Sequence, residues 1–140
     1  MDRILGLPAK YIQGSGALDR IGGTAAALGN RALVFADDFV KELVGTRVVT
    51  SLEAANVVGL WKDFGGECCG PEIHRLKTSG TSADLVIAIG GGKALDTGKA
   101  VSVELNVPFV SVPTIASTDG AVSSIAVEYS ENHTHIGVMR

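Results

Sequence analysis

Basic residues, cysteines and long apolar runs are all scarce in this chain of 140 residues, and each scarcity excludes a class of function. Twelve Lys and Arg against fifteen Asp and Glu leave a net charge of −3, so no basic patch is at hand to neutralise phosphates along a duplex. Nucleic acid is therefore excluded as an expected partner. The two cysteines, Cys68 and Cys69, are adjacent; they build no disulfide framework and suit a reducing compartment. With His74 they fall short of a zinc site, whose cysteine pairs are spaced by two to four residues, and the plainer reading is a loop before a helix with Pro71 in its first turn and Glu72 favourable at its N-terminus. No run approaches the ~20 apolar residues of a membrane span, and the N-terminus lacks the apolar region of a signal peptide, so the expectation is a cytoplasmic protein with no membrane partner.

What is plentiful is small and apolar: the chain is 46% hydrophobic, enough for one ordinary core over residues 1–140, and carries 18 glycines. Three of these follow the run Leu85-Val86-Ile87-Ala88-Ile89, as Gly90-Gly91-Gly92, and lead into Lys93-Ala94-Leu95-Asp96-Thr97. An unbroken apolar run without alternation reads as a strand covered on both faces, as in a parallel sheet. Successive glycines remove every Cβ, so main-chain N–H groups can approach a ligand closely. The helix that follows aims its unpaired N–H groups and the positive end of its dipole at the same spot, which suits a pyrophosphate. Neither common nucleotide motif accounts for the stretch. Gly98-Lys99 is followed by Ala100, and the earlier glycine of a Walker A loop is missing; the G-x-G-x-x-G fingerprint is absent, and the best acidic residue, Asp37, lies upstream of the glycines.

Along the chain, strands and helices alternate. Tyr11 to Gln13 reads as a short strand ended by Gly14, and Ala17 to Leu28 has helical apolar spacing stopped by Gly29. Ala32 to Ala36 is a buried strand, followed by helical segments at Val40 to Val44 and Ser51 to Asn56, a strand at Val57 to Trp61 and a helix at Pro71 to Ser79. Leu85 to Ile89 is the next strand, Ala94 to Leu105 its helix, and Phe109 to Val112 the strand after it. This order predicts an α/β fold: a Rossmann-like parallel sheet with right-handed crossovers and helices on both faces, and ligands beyond the carboxyl ends of the strands. Three such ends carry candidate residues: Asp37, the glycine turn, and Pro113 to Asp119. A carboxylate there accepts both hydroxyl hydrogens of an adenosine ribose and repels a 2′-phosphate, so Asp37 favours NAD over NADP; alternatively it is simply a helix N-cap, alone or with Asp38.

The segments Pro8 to Gly14, Phe64-Gly65-Gly66-Glu67-Cys68, Gly90 to Thr97 and Pro113-Thr114-Ile115-Ala116-Ser117-Thr118-Asp119 resemble the glycerol dehydrogenases of the iron-containing (group III) alcohol dehydrogenase superfamily. The resemblance runs from near Met1 to about Tyr129 and covers only the N-terminal, NAD-binding domain of a family whose members are more than twice as long. It implies that Asp37 holds the adenosine ribose and that Gly90, Gly91, Gly92, Lys93 and Asp96 line the pyrophosphate. Thr114 and Ser117 would contact the coenzyme from the next loop, Ser123, Ile125 and Tyr129 would border its nicotinamide half, and Asp119 would contact polyol hydroxyls. After Asp119 the chain has Gly120-Ala121-Val122 where many relatives have Ala-Pro-Cys or Ala-Pro-Thr.

The resemblance also implies oxidation of glycerol to dihydroxyacetone with NAD as cofactor, a small-molecule polyol as partner, a homo-oligomer, and zinc or another divalent metal held by one Asp and two His of a helical C-terminal domain. Arg140 comes before any of those ligands, so no catalytic or metal-ligating residue is assigned within the chain. His133 and His135 form a His-x-His pair that matches no family ligand and is expected in or after a hairpin strand, partly exposed. Two other readings are a non-catalytic NAD-binding module and an enzyme like the glycerol-1-phosphate dehydrogenases or dehydroquinate synthases. A phosphate-bearing substrate would call for basic residues near Asp119, and none is close in sequence.

Overall fold

The computed structural model describes residues 8–130, 132 and 134–139. Four strands form one sheet: β1 (Arg31–Ala36), β2 (Val58–Asp63), β3 (Leu85–Gly90) and β4 (Phe109–Pro113), all parallel and ordered β2-β1-β3-β4. The two inner strands are those the sequence marks as continuous apolar runs. Ala32 to Ala36 and Leu85 to Ile89 are completely buried, whereas β2 and β4 at the edges are mostly half-buried.

Helices cover both faces. On one lie α1 (Ile21–Ala26) and α2 (Asp38–Ala54), packed over Ala32, Val34, Ala36, Leu85, Ile87 and Ile89. On the other, α3 (Gly70–Ser79) and α4 (Gly92–Leu105) pack over the alternate side chains Leu33, Phe35, Val86 and Ala88. The chain leaves β1 through α2 to its neighbour on one side, then crosses back through α3 to β3 on the other. The direction of winding therefore reverses between β1 and β3, and right-handed crossovers in opposite directions put the helices on opposite faces.

Three elements differ from the sequence expectations. Val40 to Val44 and Ser51 to Asn56 belong to one continuous helix, α2, because Val40, Val44, Val48 and Leu52 at i, i+4 spacing form a single stripe against the sheet; that packing outweighs the low helix propensity of the β-branched run around Val48. Tyr11 to Gln13 is not a strand: it forms no ladder among the described residues, and Tyr11 and Ile12 are 67% and 42% exposed. The helix expected from Ala17 to Leu28 is shorter, a 3-10 turn at Leu18–Arg20 followed by α1, which ends before the exposed Leu28. Beyond β4 a 3-10 turn at Asp119–Ala121 leads into an antiparallel hairpin, β5 (Ala126–Tyr129) and β6 (His135–Met139), whose first strand rests on α4.

Candidate active site at the carboxyl edge of the sheet

Parallel register lines up three strand ends. β1 and β3 pair Phe35 with Ala88, and β3 and β4 pair Gly90 with Pro113, so Asp37, the glycine turn and the Thr114 loop leave neighbouring strands at one level, about 5 Å apart from strand to strand. Asp37 and the glycines thus flank the point where the winding reverses, which is where open α/β sheets leave a crevice.

The glycine turn is shaped by exclusion. A Cβ on Gly90 would lie 2.8 Å from Ala94 Cβ, and one on Gly92 would lie 3.2 Å from Thr118 Cγ2. Gly91 caps α4 without any side-chain hydrogen bond, and the first bond of that helix runs from Leu95 N–H to Gly91 C=O at 3.1 Å. The N–H groups of Gly92, Lys93 and Ala94 accordingly have no acceptor within the helix and point to the end where its dipole is positive. The turn fits a diphosphate on this ground: bare main chain, donors with no acceptor among the described residues and no capping side chain in the way. Thr114 N–H donates to Gly90 C=O at 3.0 Å, tying the next loop to the turn.

Asp37 is the N-cap that the sequence allows, and it leaves one carboxylate oxygen over. Its Oδ1 accepts the Val40 N–H at 2.8 Å as the N-cap of α2, while among the described residues Oδ2 has no hydrogen-bond partner. Cap and ribose ligand are compatible, since the cap uses one oxygen only.

Other expected residues are engaged elsewhere. Lys93 donates to Glu67 Oε2 at 2.6 Å, and that carboxylate is nearly buried. Asp96 uses both oxygens: Oδ1 accepts from Lys99 Nζ at 3.0 Å and Oδ2 from Val127 N–H at 3.1 Å. Ser123 Oγ and Ile125 C=O also accept from Lys99, and Tyr129 N–H donates to Cys68 C=O at 2.8 Å. Ser117 and Asp119 are exposed; Asp119 begins the 3-10 turn capped by Thr118, whose Oγ1 accepts the Gly120 N–H at 3.1 Å. The sequence reading missed Glu67 and Lys99. The i, i+3 spacing of Asp96 and Lys99 on a helix was a usable signal for one contact, but the partners 24 and 26 residues further on carried none.

His135 opens β6, exposed and edge-on to Tyr129 at 6.0 Å between ring centres; His133 lies outside the described residues. Cys68 is buried, and burial pushes its thiol up to about 11, far from a reactive thiolate. Among the described residues no cluster of three or more His, Cys, Asp or Glu could hold a metal ion, and no helix is long and apolar enough to cross a membrane. An open groove of about 560 Å³ lies between α1 and the carboxyl half of α2, lined by Asp19, Arg47 and Ser51 among others, away from the glycine turn.

The chain is 41% identical over 133 residues to a glycerol dehydrogenase of Escherichia coli O6:H1, matching 94% of this chain and 36% of that protein. It is 42% identical over 134 residues to a glycolaldehyde reductase of Halobacterium salinarum, matching 94% of this chain and 37% of that protein. In structure it superposes on a probable glycerol dehydrogenase from Sinorhizobium meliloti 1021 with a TM-score of 0.90 at 36% identity, covering 99% of this chain and 38% of the other. The chain thus spans little more than a third of the length of these relatives. The model of the iron-containing alcohol dehydrogenases matches residues 8–140, and the chain belongs to that family.

Proposed function

We propose that the chain is the coenzyme-binding part of an NAD-dependent polyol dehydrogenase, acting on a secondary hydroxyl of glycerol. The observation that carries this reading is the uncapped N-terminus of α4 behind three glycines, set at the winding reversal beside Asp37. In this reading the N–H groups of Gly92, Lys93 and Ala94 grip the diphosphate and Asp37 Oδ2 accepts from the adenosine ribose. The 2′-phosphate of NADP would meet the same carboxylate and be repelled.

Bound there, NAD supplies the hydride acceptor. The chain's own residues bind and orient. Thr114 and Ser117 stand on the loop tied to Gly90, the segment Ser123 to Tyr129 borders the nicotinamide side, and the exposed carboxylate of Asp119 accepts from polyol hydroxyls. That carboxylate has no ion-pair partner among the described residues, which suits a neutral polyol better than a phosphorylated one. The divalent metal implied by the resemblance finds no ligand set among the described residues, and no step is derived through it.

Isothermal titration of the chain with NAD tests the reading. One saturable site is expected, abolished by Gly92→Val, whose branched side chain would enter the space left below Thr118. Absence of NAD binding by the unaltered, folded chain would refute it.

A further inference from the structure

We infer that Lys99 is a positioning residue: with Asp96 it latches the segment Asp119 to Tyr129 onto α4 and so holds the nicotinamide-side wall in place. This rests on the coenzyme reading above for its functional meaning, though the latch itself does not. Lys99 is 8% exposed, and its ammonium has three N–H groups. All three are used, to Asp96 Oδ1 at 3.0 Å, Ser123 Oγ at 3.1 Å and Ile125 C=O at 2.7 Å. The second Asp96 oxygen takes the Val127 N–H at 3.1 Å. One helical ion pair thereby holds three points of a segment 24 to 31 residues away.

That segment needs an anchor. Between Thr118 and Ile125 it has only a single 3-10 turn, and Val122, Ser124 and Ile125 are exposed. Its polar ties to the sheet domain include the Asp96–Lys99 pair and the bond from Tyr129 N–H to Cys68 C=O. A buried ammonium left without partners would be costly, so the pair and the docked segment stabilise each other. With both carboxylate oxygens committed, Asp96 acts on the coenzyme through this segment instead of touching the diphosphate.

The test combines hydrogen exchange with nucleotide titration on the unaltered chain, Lys99→Met, and the double variant Asp96→Asn with Lys99→Met. The double variant leaves no unpaired buried charge and separates loss of the latch from failure to fold. Exchange across residues 119 to 129 is expected to rise by about tenfold or more in both variants, with β1 and β3 unchanged. NAD should bind about tenfold more weakly to both, while ADP, which lacks the nicotinamide half, binds within about twofold of the unaltered chain. Unchanged exchange at 119 to 129, loosening of the whole sheet in the double variant, or equal losses for ADP and NAD would overturn the inference. If the unaltered chain binds neither nucleotide, the coenzyme reading fails, and the exchange data alone then decide whether the latch exists.

Discussion

Single side chains decide how this chain responds to pH and to thiol reagents. Burial would raise the Glu72 carboxyl, but the Arg75 guanidinium, bonded to it at 2.8 and 2.7 Å, and the Gly65 N–H at 2.8 Å outweigh burial and hold it below its ordinary value. A depressed carboxyl contributes stability that is present above its unfolded value, near 4.5, and is lost as pH falls through the lower folded one. Arg75 is half exposed, so solvent screens the pair, and Glu72→Gln is expected to cost about 1 kcal/mol at pH 7 and less at a second, acidic pH below the folded value of the carboxyl. Urea unfolding at both pH values checks this, and an equal deficit at both would contradict it. At Cys68 the expectation is inertness: the folded chain at pH 8 should leave it unalkylated by iodoacetamide over hours, with both cysteines modified in urea, as read by mass spectrometry. Asp37→Ala should lose the cap of α2 at a cost of about 1 kcal/mol in thermal unfolding, besides any effect on coenzyme. This side chain also marks how far sequence reading reached: the cap it offered is observed, while the ribose contact belongs to the function proposed.

Between elements, close packing sets the limits. A Cβ on Gly98 of α4 would lie 2.4 Å from the Phe109 ring of β4 and 2.6 Å from Ala88 Cβ of β3, so the helix sits directly on the sheet that carries the glycine turn. Gly98→Ala is expected to destabilise the chain by about 1–3 kcal/mol, and Phe109→Leu in the same chain to restore part of it, measured by thermal melts of the single and double variants. Full additivity of the two substitutions would contradict a direct clash. The buried strands were legible because Leu85 to Ile89 and Ala32 to Ala36 contain nothing polar, and the helix after the glycines because a free N-terminus has a local signature. The unity of α2 was not, since Val48, Val49 and Thr50 weaken the local helical signal and only the sheet beneath rewards the continuous stripe from Val40 to Leu52. Tyr11 to Gln13 carries strand-forming residues, but a strand exists only where another pairs with it, and no local pattern reports that. The partners of Lys93 and Lys99 were hidden for the same reason: Glu67, Ser123 and Ile125 meet these ammonium groups only after the crossovers have formed.

For the molecule as a whole, winding direction matters more than any one motif. The reversal between β1 and β3 brings a carboxylate from one strand end beside bare amides from the next, and it does so with a glycine pattern that matches neither common nucleotide fingerprint. Together, in the function proposed, these two features select an unphosphorylated dinucleotide. Isothermal titration of the unaltered chain and of Asp37→Ser with NAD and NADP tests it most directly. The unaltered chain is expected to bind NAD at least about tenfold more tightly than NADP, and Asp37→Ser to narrow this ratio to about threefold or less by weakening NAD and admitting the 2′-phosphate. Equal affinities for the two coenzymes in the unaltered chain, or a ratio that survives loss of the carboxylate, would contradict it.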